Sequence, residues 1–325
     1  MRKHVLLLAS IASAVLLASL AALVVPKERA EAAFPGVNAR IAFERDPDGY
    51  RGSKDPEIYS VWFDGTNLKR LTNNTTRDTD PAYSADGRTI AYSGGDARAW
   101  DAYEADLFLM RADGSEKTRL TRERRIPGER TADDTQPSFS PGGRQIAFVR
   151  NGPLSDGHTL SNNDVYKIGV DGRGLTRLVD IPSYEYRSGC CPAWSPDGSG
   201  IAFYSEAEEE YSIETVRPDG SGRKPLTTGY SPSWSPDGSQ VVFVGTGGGI
   251  HKVAADGSGE PQQLLTGFGH VSEPAFSPSG TRIVFSSDID GDYDLYVIKA
   301  DGTDEPRRLT NAPGDDNSPD WQPAP

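Results

Sequence analysis

The sequence at positions 192–203 reads Pro192-Ala193-Trp194-Ser195-Pro196-Asp197-Gly198 and, after two further residues, Ile201-Ala202-Phe203. Versions of the opening Pro-x-aromatic triplet begin at Pro81, Pro137, Pro192, Pro232, Pro274 and Pro319. Versions of the apolar triplet begin at Ile41, Ile90, Ile146, Ile201, Val241 and Ile283, so successive triplets lie 40 to 56 residues apart. A period of this length is typical of propeller blades rather than of helical solenoids.

Each repeat contains four short strand signals. The Pro-x-aromatic stretch and the apolar triplet are the first two, and the Ser-Pro-Asp-Gly between them is a turn, because Pro presets φ and Gly tolerates positive φ. The third strand precedes an Asp-Gly turn, at Asp64, Asp113, Asp171, Asp219, Asp256 and Asp301, and the fourth contains Arg-Leu-Thr or an equivalent. These signals predict an all-β fold, a six-bladed β-propeller of four-stranded antiparallel blades.

The order of the repeat at the two ends of the chain supports this count. The first repeat starts at its second strand, at Ile41, whereas the last one stops after Pro319-Asp320-Trp321 without an apolar triplet. The two fragments complete one blade. We therefore expect the C-terminal strand to pair into the first blade, which closes the ring and removes an exposed sheet edge.

The repeat resembles the TolB-like, WD40-like repeat of bacterial six-bladed propellers, and the resemblance covers nearly all of residues 33–325. It implies the fold but leaves the function open, because such repeats occur in periplasmic protein-binding propellers, in the non-catalytic domains of prolyl-oligopeptidase-like peptidases and in some polysaccharide lyases. TolB also has an α/β domain before its propeller, and the peptidases have a hydrolase domain with a Gly-x-Ser-x-Gly motif. We expect neither domain in this sequence.

The N-terminal segment has the pattern of a secretory signal. Arg2 and Lys3 precede an apolar run at 5–25, and Ala30-Glu31-Ala32 offers a cleavage site. The run is also long enough for an uncleaved membrane anchor, which stays an alternative. The sequence thus predicts a signal peptide at 1–32, a propeller at 33–325, and a protein that is secreted, periplasmic or associated with the cell envelope.

The charge of the chain argues against nucleic acid as a partner. The net charge is −13, and removal of residues 1–32 takes away four basic and two acidic residues, which leaves −15. A protein this acidic repels a polyanion unless a basic patch offsets its field.

The loop lengths predict which face binds. The loop entering the first strand of a blade and the loop between its second and third strands emerge on one face, and the tight turns lie on the other. Long loops are concentrated in the first four blades, at 44–57, 93–106, 122–136, 149–164 and 180–191. Binding sites are usually built from long loops on a rigid scaffold, although neutral surface insertions are the alternative.

Acidic residues recur where the entering loops meet the predicted channel, at Asp78, Asp80, Asp134, Glu273 and Asp316. In the resembling family an Asp near this point lines the channel mouth. A ring of carboxylates there could hold a cation or a basic peptide. The alternative is a set of Asx turns that order the start of each inner strand.

Cys190 and Cys191 are the only cysteines, they are adjacent, and they directly precede Pro192 at the predicted channel mouth. In an exported protein we expect them to form a vicinal disulfide, with free or intermolecularly paired thiols as the alternatives. Adjacent thiolates cannot both chelate one zinc ion well, so the pair alone does not predict a zinc site.

One acidic stretch suggests a cofactor, calcium. It has carboxylates at alternate positions, Asp288, Asp290, Asp292 and Asp294, which resembles a calcium-binding loop. The resemblance is incomplete, because the sixth position is not Gly and the twelfth is not Glu. A plain turn is the alternative.

Candidate acid–base groups are few. His251 replaces an aromatic residue of the third strand and is expected to pack, which leaves His158 and His270 on the long-loop face. We therefore predict a binding scaffold that recognises a protein or peptide on its long-loop face and channel mouth. The alternatives are a propeller-type polysaccharide lyase or hydrolase that uses these histidines and rim carboxylates, and a non-catalytic binder of cell-wall glycan.

Overall fold

The computed structural model describes residues 40–49, 55–95, 105–122, 132–153, 161–181, 190–207 and 210–323. These residues form six four-stranded antiparallel sheets arranged in a ring, which confirms the predicted six-bladed β-propeller. Blade 1 contains β1 (Arg40–Asp46), β2 (Glu57–Trp62), β3 (Lys69–Arg70) and β24 (Asp315–Trp321). Blade 2 contains β4 (Arg77–Tyr83), β5 (Thr89–Gly95), β6 (Ala105–Arg111) and β7 (Thr118–Arg119).

The other four blades follow the chain in order, each from its innermost to its outermost strand. Blade 3 contains β8 (Asp133–Phe139), β9 (Gln145–Pro153), β10 (Ser161–Gly169) and β11 (Thr176–Val179). Blade 4 contains β12 (Cys190–Trp194), β13 (Ile201–Ala207), β14 (Glu210–Val216) and β15 (Lys224–Thr228). Blade 5 contains β16 (Tyr230–Trp234), β17 (Gln240–Val244), β18 (Ile250–Ala254) and β19 (Gln262–Leu265). Blade 6 contains β20 (Val271–Phe276), β21 (Arg282–Ser287), β22 (Asp294–Lys299) and β23 (Arg307–Arg308).

The C-terminal strand closes the ring as predicted. β24 pairs antiparallel with β1, with Ile41 opposite Trp321 and Asp46 opposite Asp315. Trp321 is 3% exposed and packs in the apolar cluster between blades 1 and 6. Because β24 supplies the innermost strand of blade 1, β1 has no free edge on that side.

The hydrophobic core lies between neighbouring blades. The first residue of every apolar triplet is fully buried, and six apolar clusters fill the six blade boundaries. The third residue of the triplet packs against an aromatic ring of the third strand in most blades, as Phe43 does with Tyr59 at a centroid distance of 5.9 Å. His251 takes that place in blade 5, stacked on Phe243 at 5.7 Å, in agreement with its predicted packing role.

The Arg-Leu-Thr motif of the outer strand fixes a carboxylate at the start of the third strand. In blade 2, Arg119 donates to Asp106, and the Thr121 hydroxyl accepts the backbone N–H of Leu107 at 2.9 Å. The same type of Arg–carboxylate pair occurs at Arg70–Glu57, Arg177–Asp164 and Arg308–Asp294. The motif therefore joins the two outer strands of a blade, where the outermost strand is short.

The tight turns bring neighbouring blades into contact. Gly198 has a φ of +71°, and a Cβ atom at this position would lie 3.1 Å from Cγ of Pro141 in the turn of the preceding blade. Gly is therefore required both by the backbone conformation and by the close approach of the neighbouring proline. This packing sets the turn prolines around the axis of the ring.

Candidate functional site

A ring of residues with left-handed backbone surrounds the propeller axis. The register of every inner strand shifts at the residue before the blade proline, and that residue has a φ between 50° and 59°. The six residues, here called the channel ring, are Asp80, Gln136, Cys191, Ser231, Glu273 and Ser318. A residue before proline normally adopts an extended conformation, and positive φ costs a non-glycine residue on the order of 1 kcal/mol.

Side chains of the preceding blade support this conformation. They accept backbone N–H groups of channel-ring residues across four blade boundaries. The pairs are Asp80 N to Glu44 Oε2 at 3.0 Å, Gln136 N to Ser93 Oγ at 3.2 Å, Cys191 N to Gln136 Oε1 at 3.0 Å, and Ser318 N to Glu273 Oε2 at 2.7 Å. Buried or partly buried N–H groups need such partners, so these contacts fix the ring and link the blades.

A cavity of about 290 Å³ begins at the channel ring and runs along the axis. Its wall contains all six blade prolines and the aromatic residue that follows each of them. The wall also includes Pro141, Pro196 and Pro278 of the tight turns, and Pro323, which follows β24. The cavity therefore extends from the channel ring towards the tight-turn face. The sequence predicted binding on the long-loop face and at the channel mouth, and this remains a prediction.

The charged residues that line the described cavity are all acidic: Asp80, Glu273 and Asp320. Burial raises the pKa of Glu273 to about 7, and the negative charge of Asp80 adds to the effect. Burial also raises the pKa of Asp320 to about 7, against the hydrogen bonds that its carboxylate accepts. A carboxylate at such a site favours either a proton or another positive charge beside it.

Burial likewise raises the pKa of Asp80 and of Glu44, which lies beside the channel ring. For Glu44 the charges of Asp80 and Glu273 add to burial, whereas Arg77 works in the opposite direction for both Glu44 and Asp80. The carboxyl groups of blades 1, 2 and 6 thus influence one another electrostatically. The charged residues of the channel therefore lie on blade 1, where the ring closes, and on its two neighbours, blades 2 and 6.

Three of the predicted channel carboxylates lie inside blades and do not line the cavity. Asp134 and Asp316 are fully buried, and each accepts two hydrogen bonds from an Arg of the next strand, at 2.6 to 2.8 Å. Asp78 is 2% exposed and accepts a hydrogen bond from Asn74 at 2.8 Å. Of the five predicted carboxylates, only Asp80 and Glu273 line the channel. The binding roles assigned to all five remain predictions.

Of the two cysteines that the sequence places at the channel mouth, Cys191 lines the cavity. Cys191 belongs to the channel ring, lines the cavity, and has its Sγ 3.9 Å from Oγ of Ser231. The side chain of Cys190 lies outside the described part of the structure, although its backbone begins β12. The vicinal disulfide therefore remains a prediction.

Of the two long-loop histidines named from the sequence, His270 lies among the described residues. The side chain of His270 is 86% exposed and is not among the residues that line the cavity, and Asp288 accepts hydrogen bonds from its N–H and its Nδ1 at 2.7 and 2.8 Å. Partial burial acts to raise the pKa of Asp288, but these hydrogen bonds outweigh it and hold the pKa below its ordinary value. His158 lies outside the described residues.

Each of the four carboxylates of the predicted calcium loop accepts a hydrogen bond from the protein, and Asp290 and Asp294 share Arg308. Asp288 accepts from His270, Asp290 from Tyr296 and Arg308, Asp292 from the N–H of Gly314, and Asp294 from Arg308 and Thr310. Within the described residues, no group of three or more His, Cys, Asp or Glu side chains is placed to hold a metal ion. Calcium at this loop remains a prediction without a matching geometry.

The sequence prediction missed Asp320 and half of the channel ring, namely Gln136, Ser231 and Ser318. A signal was available, because the residue before the blade proline is Asp, Gln, Ser or Glu in five repeats and Cys in the other. Asp320 also differs from its counterparts at the position after the proline, which are Ala82, Ser138, Ala193, Ser233 and Ala275.

The comparison with known families agrees with the repeat and the ring. Residues 99–268 match the family described as the TolB beta propeller domain. The chain belongs to the TolB β-propeller family.

Among the described residues, no helix has the length and apolar character needed to cross a membrane, and the predicted signal at 1–32 lies outside them.

Relatives and solved structures show the same relationship. The chain is 30% identical over 223 residues to a protein TolB homolog of Chlorobium luteolum, covering 57% of this chain and 46% of that protein. It is 26% identical over 237 residues to the uncharacterized peptidase YuxL of Bacillus subtilis, covering 68% of this chain and 32% of the relative. The crystal structure of TolB from Acinetobacter baumannii has a TM-score of 0.69 at 19% identity, covering 88% of this chain and 67% of that one. The chain thus spans half or less of these two curated relatives.

Proposed function

We propose that this protein is an exported propeller that binds a protein or peptide segment in its central channel. The observation that carries the proposal is the axial cavity of about 290 Å³, which is walled by all six blades. A pocket of this size is near the lower limit of ligand sites in proteins, which run from about 300 Å³ upward. It suits a short segment or a few side chains of a larger partner.

The walls of the cavity favour a macromolecular ligand. Blade prolines and aromatic residues provide rigid apolar surface, and the polar channel ring provides hydrogen-bonding groups at its inner end. A site that is rigid before binding loses little conformational freedom when a partner docks. The closed ring and the cross-blade hydrogen bonds supply this rigidity.

Export and the long-loop face belong to the same proposal. Export is supported by the signal-like pattern at 1–32. The long loops at 44–57, 93–106, 122–136, 149–164 and 180–191 would extend the contact at the other end of the channel, although much of their length lies outside the described residues.

The test compares a filled channel with a matched surface change. Ala193→Phe places a phenyl ring at the cavity wall, and Ser258→Phe places the same ring on an exposed turn at the outer part of blade 5. The immobilised exported protein is used to isolate a partner from cell-envelope extract. The partner is identified by mass spectrometry, purified and titrated calorimetrically against all three proteins.

We expect Ala193→Phe to weaken binding by at least about tenfold, equivalent to about 1.4 kcal/mol, and Ser258→Phe to leave it unchanged. Equal affinity for the Ala193→Phe protein would overturn the channel as the binding site. Failure of the unmodified protein to bind any purified candidate would overturn the binding function itself.

A further inference from the structure

Asp320 is the exceptional residue of the channel wall. At the position after the blade proline, the other five blades have Ala or Ser, so Asp320 is the charged residue at this level of the cavity. It lies on β24 between Pro319 and Trp321, shortly before Pro323, and all four line the cavity. A carboxyl group is thus set among apolar walls on the tight-turn side of the channel ring.

The backbone does not require a carboxylate here. Asp320 Oδ2 accepts the N–H of Tyr83 from the next blade at 2.6 Å. In blade 3 the hydroxyl of Ser138 does the same for the N–H of Trp194, at 3.2 Å. A neutral serine is therefore sufficient for this contact between blades, and the contact does not need the charge of Asp320.

On the basis of the proposed function, we infer that the partner inserts a basic side chain, Lys or Arg, into the channel from the tight-turn face to pair with Asp320. The three charged residues on the described cavity wall, Asp320, Glu273 and Asp80, are all acidic and so complement a cation. Burial that disfavours a carboxylate alone favours a hydrogen-bonded ion pair once a cation enters.

The apolar walls fit the rest of such a side chain. Lys and Arg bury their methylene stems along apolar surface while the charged end finds a polar partner. Here the turn prolines Pro141, Pro196 and Pro278 line the outer part of the cavity, and the channel ring lies at its inner end. Glu273 and Asp80 belong to that ring, so a longer or second cation would find carboxyl groups further along the axis.

The test uses two substitutions that each copy a residue from another blade. Asp320→Ser removes the charge and keeps a hydroxyl for the N–H of Tyr83, as Ser138 provides in blade 3. The control, Asp237→Ser, removes a negative charge from an exposed turn on the same face, where blade 6 already has Ser279. Both proteins should fold like the unmodified one.

The probes are acetyl-Gly-Arg-Gly-amide and its citrulline analogue, which has nearly the same shape without the charge. Binding is followed by chemical shifts of the backbone amides of Tyr83 and Trp321, at about pH 8 so that Asp320 is ionised. We expect the arginine peptide to bind about tenfold more tightly than the citrulline peptide. Asp320→Ser should abolish that difference, and Asp237→Ser should preserve it.

Equal binding of the two peptides to the unmodified protein, or no binding of either at millimolar concentration, would overturn the inference. So would an undiminished preference for arginine in the Asp320→Ser protein. The purified partner separates this result from the proposed function. If it binds Asp320→Ser normally but loses affinity for Ala193→Phe, the channel function holds and the basic side chain is refuted.

Discussion

The ring is closed by a strand that no short connection joins to its neighbour, and the buried ion pair of that strand offers a test of closure. Asp316 on β24 accepts two hydrogen bonds from Arg45 on β1, at 2.6 and 2.7 Å. Blade 3 provides the matched control, because Asp134 on β8 accepts two from Arg150 on β9, at 2.7 and 2.8 Å. Both Asp side chains are fully buried. The paired perturbation is Asp316→Asn against Asp134→Asn.

The expected magnitude follows from leaving a guanidinium without its counter-charge. Removing one partner of a buried ion pair costs about 3–5 kcal/mol, which is a large part of the roughly 5–15 kcal/mol of a typical domain. Arg150 is slightly more exposed than Arg45, with 14% against 9% of its side chain accessible. We therefore expect Asp316→Asn to cost at least as much unfolding free energy as Asp134→Asn.

The two variants should differ in how they open. Asp316 and Arg45 are 271 residues apart in sequence, so β24 can detach and hydrate Arg45 while the other blades stay folded. Asp134 and Arg150 are 16 residues apart in one hairpin, so the short connection keeps β8 beside β9 when the pair is broken. Local opening needs little free energy where few covalent constraints oppose it.

Denaturant unfolding measures the global loss, and hydrogen exchange with mass spectrometry measures the local opening. Peptides covering 315–321 should exchange faster in Asp316→Asn than in the unmodified protein, at denaturant concentrations too low for global unfolding. Peptides covering 133–139 should show no such local exchange in Asp134→Asn. If β24 stays as protected as β8, or if neither variant loses more than about 1 kcal/mol, the closing role of this pair is refuted.

Three further predictions concern the channel and the acidic loop. Because the folded-state pKa of Glu273 is raised to about 7, the folded protein binds a proton more tightly than the unfolded one, and unfolding free energy should fall as pH rises from about 5 to about 8. Glu273→Gln should reduce this fall by about 1–3 kcal/mol, and an unchanged pH profile in calorimetry would contradict it. Alkylation without reductant should find Cys190 and Cys191 protected within one monomer, whereas two alkylated thiols or a linked dimer would exclude the vicinal bridge. Chelation should leave the melting temperature unchanged, because each of the four carboxylates of the acidic loop already accepts a hydrogen bond from a protein donor; a decrease that Asp290→Ala abolishes would restore the calcium prediction.

The number of blades was predictable because each blade repeats the same short sequence motifs. Proline, glycine and alternating apolar residues recur in each repeat for backbone and packing reasons that a sequence displays directly. The closing strand was predictable for a similar reason, since the incomplete first repeat and the final Trp321 fit together. Neither inference needed the direction of a particular side chain.

The channel residues were harder to predict because the inner strands are not regular. In an ordinary strand, residues two apart face the same side, so Asp78 and Asp80 would lie together. The register shift after Thr79 and the left-handed backbone of Asp80 break this alternation, and Asp78 is buried in the blade while Asp80 lines the channel. The same irregularity separates Asp134 from Gln136 and Asp316 from Ser318.

β24 closes the ring by pairing with β1, and the same strand forms part of the cavity wall. Asp316 holds the strand to β1, and Asp320 and Trp321 line the cavity four and five residues later. Any ligand that contacts that wall binds only while β24 is docked, so occupancy must favour the docked strand. A pulling force applied to the chain just after Trp321 would act directly on this strand. An occupied channel should therefore resist tension better than an empty one, and load on the chain should loosen whatever the channel holds.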